Sequence, residues 1–192
     1  ICYCCDDDQE VADFLVEAFD LMPVMRTADQ YNPGTVLGLD YEVHSIGNFI
    51  YDRRGPRTSP AIEVQGWYDP VTVGEPPSDG LHMGINALGF AVPSVVASLA
   101  RLAKLGCTVI ANGSSPTDVR SASVRDSRNV TLDIVEDSSL EEGQSQLHHL
   151  RINVGSIDDS LPFYDMLGFE LLSREPFTDG AFAGFEGGVE AE

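Results

Sequence analysis

The sequence predicts an α+β fold built from repeated strand–helix–strand units, and three observations carry that expectation. One pattern recurs three times along the 192 residues: a short alternating strand, an acidic or small-residue turn, an amphipathic helix, and further strands closing on an acidic residue between apolar ones. Hydrophobic residues make up 43% of the chain, enough to bury a core in one or two domains. No apolar run approaches the ~18 residues a membrane span needs, and no basic segment leads into an apolar one as in a secretory signal.

The first unit is read at residues 1–68. Residues 1–5 form an apolar strand that sends Cys2 and Cys4 to one face and Cys5 to the other. Asp6, Asp7 and Asp8 precede a helix whose Val11, Phe14, Leu15 and Ala18 share one face, with Met22 and Pro23 expected to end it. Strands are expected at 39–43, 47–51 and 61–67. A linker rich in Pro and Gly follows at 69–80.

The second unit is read at 81–136. Leu88, Phe90 and Val92 make its first strand. Pro93 and Ser94 open a helix through Val96, Leu99, Leu102 and Leu105, which Gly106 stops. A strand at 107–110 leads into a loop of Asn112, Gly113, Ser114 and Ser115, and after a turn at 126–129 the closing strand runs over 130–135. An acidic, serine-rich linker occupies 137–146.

The third unit, 147–192, is the front part of the same pattern. Leu150, Ile152 and Val154 alternate with His149, Arg151 and Asn153, the period of a half-buried strand. Ser156 or Asp158 caps the next helix, whose Leu161, Phe163, Tyr164 and Leu167 lie on one face, and Gly168 ends it before a strand carrying Phe169, Leu171 and Leu172. Ile1 stands in an apolar run, so the natural chain is expected to start earlier.

The formal charge is −20, from 31 acidic and 11 basic residues. Such a surface repels phosphate backbones, so nucleic acid is an unexpected partner. It suits a cationic ligand or a plain solvated face. Cys2, Cys4, Cys5 and Cys107 lack the spacing of a structural zinc site and read as small apolar residues in a reducing, cytoplasmic setting.

These residues resemble the vicinal-oxygen-chelate superfamily of glyoxalases, bleomycin-resistance proteins and extradiol dioxygenases. His149-Leu150-Arg151-Ile152-Asn153-Val154 resembles the family's opening strand with its leading His, and Asp158 to Tyr164 its acidic turn and Ser-x-x-Phe-Tyr helix start. Asp126 to Asp133 is similar to its closing turn and strand, with Asn129 in the usual glycine place. Ile62-Glu63-Val64 resembles the same closing strand in the first unit.

The resemblance implies βαβββ modules that pair into a curled, cup-like mixed sheet holding one divalent metal, Fe, Mn or Zn. It also implies a small-molecule substrate with two neighbouring oxygens and a metal serving as Lewis acid. Ligands would come from leading first-strand and acidic last-strand positions, which places His149, Glu63 and Asp133 as candidates. The second module's first-strand position is Ala87, which has no donor. Carboxylates on strands are ordinarily solvated or ion-paired, so only the resemblance makes Glu63 and Asp133 candidates.

Alternation sends His148 and His149 to opposite faces, so one of them at most enters a cup. His44 and His82 read as surface or structural, and Phe163 and Tyr164 as core. Modules one and two are expected to form one cup, with the third module's remaining ligands supplied beyond Glu192 or by a second subunit, a homodimer. A metal-dependent enzyme is the leading expectation. A metal-free protein that sequesters cationic drugs is the alternative.

Overall fold

The computed structural model describes residues 1–77, 82–114 and 120–174, and only the backbone at 111–114 and 120. Strand β1 (Cys2–Cys5) feeds helix α1 (Asp8–Phe19). Asp7 caps the helix, its Oδ1 accepting from the N–H groups of Gln9 and Glu10 at 3.1 and 2.9 Å. Val11, Leu15 and Ala18 bury the expected face. The helix stops at Asp20, whose φ of 54° is left-handed. Met22 and Pro23, expected to end it, instead open β2 (Met22–Arg26), an edge strand where proline's missing N–H is tolerated.

The strands expected at 39–43 and 47–51 are largely one long strand, β4 (Glu42–Tyr51), after the short β3 (Tyr31–Pro33) and a 3₁₀ turn at Gly34–Leu37. With β5 (Ile62–Asp69), these make the first sheet in the order β1-β5-β4-β2, β1 and β5 running parallel.

The second module repeats the plan: β6 (Gly84–Val92), α2 (Val95–Lys104) capped by Ser94, β7 (Thr108–Ser114), β8 (Arg120–Arg125) and β9 (Thr131–Glu136). Strand β7 includes Asn112, Gly113 and Ser114, which the sequence alone reads as loop. Asn129 has φ 65°, the left-handed turn its position implied. Beyond it lie β10 (Gln146–Asn153) and α3 (Ile157–Met166), whose N-cap is Ser156. Phe169, Leu171 and Leu172 form no strand and are exposed, as no neighbouring strand pairs with them among the described residues.

One core joins the first two modules. Val11, Leu15, Phe19, Ile62 and Val64 of the first module and Phe90, Leu102, Leu132 and Ile134 of the second belong to a single buried cluster. The rings of Phe19 and Phe90 stack 3.8 Å apart. Tyr3 donates its hydroxyl to Asp126 across the same boundary at 2.6 Å, and Arg128 pairs with Glu10 at 2.8 Å.

Modules one and two pack together as expected, but they share a core and not a sheet. The second sheet runs β10-β6-β9-β8-β7, so the strand that opens the third module extends the second module's sheet, antiparallel to β6. Edge pairing satisfies the exposed N–H and C=O groups of β6, whereas modules one and two meet through their apolar faces. Alternation then turns Glu63, between Ile62 and Val64, and Asp133, between Leu132 and Ile134, away from the shared core, each onto the outer face of its own sheet.

Candidate functional site

On the outer face of the second sheet, three strands bring one residue each into a row. Gly89 of β6 is flanked by Asp133 of β9 and by His149 of β10. Two strand spacings separate Asp133 from His149, roughly 10 Å of backbone. Their side chains approach because Gly89 puts no side chain between them. A Cβ at position 89 would collide with the His149 ring, so glycine is what seats the imidazole. His149 Nε2 lies 3.7 Å from Asp133 Oδ2.

Asp133 is 0% exposed. Arg151 clasps it with Nε to Oδ2 at 2.8 Å and Nη2 to Oδ1 at 3.1 Å, and Ser123 Oγ, also buried, lies 2.5 Å from Oδ1. Burial pushes the Asp133 carboxyl up, but the neighbouring His149 imidazole, the Arg151 guanidinium and the Ser123 hydroxyl outweigh it and hold the group below the usual carboxylate range. Arg151 stands opposite Ala87 in the ladder, so the residue that lacks a donor is also one that leaves room for a guanidinium.

A bulge aims the histidines. The register passes from Leu147 opposite Phe90 directly to His149 opposite Gly89, leaving His148 as an extra residue. The expected alternation therefore fails at this point, and the two rings come edge to edge, Nδ1 to Nδ1 at 3.0 Å. Burial and then the neighbouring His149 lower the His148 pKa below its ordinary value. The first module fixes the start of this strand: Asp52, held by Arg54 at 2.6 Å, accepts the Leu147 N–H at 3.1 Å, and Arg54 Nη2 donates to the Leu147 carbonyl at 3.0 Å.

The other sequence candidates lie elsewhere. Glu63 faces Cys2 and Phe49 across the first sheet, and the structure does not bring it to Asp133 and His149. His44 stacks on Tyr31 and bonds Asp29 at 2.7 Å. Tyr164 and Leu161 line an apolar groove of about 880 Å³ with Leu150, Ile152 and Val154, a groove that His148 and His149 also border, while Phe163 is exposed. Sequence reading missed Arg151, Ser123 and Gly89. Arg151 did carry a signal, sharing the alternating face of His149 two residues away.

A resident divalent metal ordinarily takes three or more protein donors. Among the described residues, no three His, Cys, Asp or Glu side chains are grouped to hold one. Asp133 and His149 supply two, and both oxygens of Asp133 already serve a cation that would repel another. The described residues therefore do not by themselves fit the metal that the resemblance implies.

This topology is the fold of the glyoxalases and other vicinal-oxygen-chelate proteins. Glyoxalase I from Zea mays superposes with a TM-score of 0.67 at 18% identity, over 90% of this chain and 55% of that one. A glyoxalase family protein from Bacillus cereus superposes with a TM-score of 0.60 at 17% identity, over 71% of this chain and 90% of that one. The chain thus spans about 55% of the length of the maize enzyme. No protein-family model matches the sequence, nor does the sequence of any curated protein. Among the described residues, no helix is long and apolar enough to cross a membrane.

Proposed function

We propose that the outer face of the second sheet is the small-molecule site of a glyoxalase-superfamily protein, acting on a substrate with two neighbouring oxygens. One observation carries this reading: a buried ionised carboxylate, an imidazole and a guanidinium, drawn from different modules, converge over a glycine that leaves room for them. His149 Nδ1 lies 3.0 Å from His148 Nδ1 and its Nε2 3.7 Å from Asp133 Oδ2, so the ring stands between two groups that can exchange a proton with it.

In the metal-dependent form of this reading, His149 and Asp133 are ligands of Fe, Mn or Zn, which would supply Lewis acidity. Arg151 must then release Asp133, and further donors must come from outside the described residues. The metal-free form needs neither change and is the one the described residues favour. Glu63 takes part in neither. Sequestration of a cationic drug has the −20 charge in its favour. Arg151 at the centre of the site opposes it.

Elemental analysis and ligand binding on the full-length protein separate these forms. One equivalent of metal, lost in His149→Ala but kept in His148→Ala and Glu63→Ala, supports the metal-dependent form. Little metal in the wild type, with small-molecule binding lost in His149→Ala, supports the metal-free form. A His149→Ala protein that keeps both metal and ligand overturns the site.

A further inference from the structure

We propose that the Arg151 guanidinium does the work of a divalent cation at this site, receiving a small carboxylate or 2-oxo acid directly on its unpartnered edge. This rests on the reading that the outer face of the second sheet is a small-molecule site. It deepens that reading by naming the recognising group and the ligand class.

Arginine has five N–H donors in a planar fork. One edge of Arg151, Nε and Nη2, is spent on Asp133, and that bidentate grip fixes the plane of the group. The remaining edge is made by Nη1 and the second hydrogen of Nη2. Nη1 is buried and has no hydrogen-bond partner among the described residues. A buried donor of a charged group without an acceptor is costly and rare, and an arriving oxygen would relieve it.

The shape of that edge selects the ligand. Two parallel N–H groups match two oxygens on one carbon or on adjacent carbons, the arrangement of a carboxylate or of a 2-oxo acid. A metal would accept the same pair of atoms by coordination, whereas Arg151 accepts them by hydrogen bonding and keeps its charge at every pH the protein meets. Asp133 neutralises one unit of charge and holds the guanidinium still. His149, 3.7 Å from the same carboxylate, places a second nitrogen-bearing group beside the fork. Ala87 and Gly89 are consistent with this role, because a larger residue at either place would crowd the fork or the ring.

The test is calorimetric titration of the full-length protein, dialysed against a chelator, with pyruvate as the probe. Saturable binding without metal is expected. Arg151→Lys keeps a positive charge for Asp133 but lacks the second planar edge, and should weaken binding roughly tenfold or more. The double variant Arg151→Gln with Asp133→Asn leaves no stranded charge; it should lose binding while its circular dichroism and melting show a folded protein. Pyruvate binding that appears only on adding Mn²⁺ or Zn²⁺ overturns the guanidinium assignment and leaves the site reading intact. Unchanged affinity in Arg151→Lys also overturns the assignment alone. Absence of binding with and without metal overturns both.

Discussion

Asp8 and Asp133 are both fully buried carboxylates clasped by an arginine, yet they are built differently. Asp8 opens α1 and accepts from Arg26 at 3.1 Å, from Asn48 at 2.5 Å and from the Tyr68 hydroxyl, all within the first module. Its arginine is 43% exposed and open to water. Asp133 is served by its own module through Ser123 and by the third module through Arg151 and His149, and its arginine is only 15% exposed. The first network closes on itself and ties a helix start to its sheet. The second spans two modules and ends on an N–H that no described residue satisfies. A buried charge is thus architectural when every partner is local and complete, and becomes a candidate site when partners converge from separate units and one valence is left over.

The largest effect that could break this comparison is the stability difference between the two deletions. Asp133→Ala strands a mostly buried guanidinium and should cost about 3–5 kcal/mol. Asp8→Ala leaves Arg26 free to rehydrate and should cost about 1–3 kcal/mol. Urea unfolding of both variants measures this, and the reverse order would show that Asp8 holds the more exacting network.

An intermediate effect is expected from Gly89→Ala. The new Cβ must displace the His149 ring, which should cost roughly 1–3 kcal/mol and move the His149 imidazole resonances. A variant with unshifted resonances would mean that the ring does not rest on Gly89.

The smallest effects lie in the pH dependence. The Asp133 carboxyl is held below its ordinary range in the folded state, so the unfolded chain takes up the proton first as the pH falls. The stability contributed by this group is therefore complete above about pH 4 and is lost below it. Asp133→Asn should flatten that acid arm. His148 is lowered as well, so its contribution is present above about pH 6.5 and fades as the pH drops, an arm that His148→Ala should remove. A His148→Ala protein with an unchanged slope near neutral pH would break the imidazole pairing.

Much of the fold was legible because it depends on local pattern. Val11, Leu15 and Ala18, Leu88, Phe90 and Val92, and the caps Ser94 and Ser156 all follow from spacing and from which residues suit a helix start. Pairing was less legible, since alternation shows that a strand has an apolar face but not which edge accepts it. Hence β10 was not foreseen beside β6. The bulge at His148 depends on a cross-strand register and on the hold that Asp52 and Arg54 keep on Leu147, and neither leaves a trace in the strand's own residues. His149 and Asp133 were named as candidates, but the arginine between them was passed over because its partner lies 18 positions away.

The grip on Leu147 has a further consequence for the covalent chain. Strand β10 is held by its ladder to β6, by Leu147 and Leu150 packed on the core, and by the Asp52–Arg54 pair, while the connection before it is an exposed turn around Glu141 and Glu142. Continuity through that turn is then not what keeps the strand in place. A protease cut there is expected to give two fragments that elute together under native conditions and part only in denaturant, and separately expressed halves should find each other by complementation.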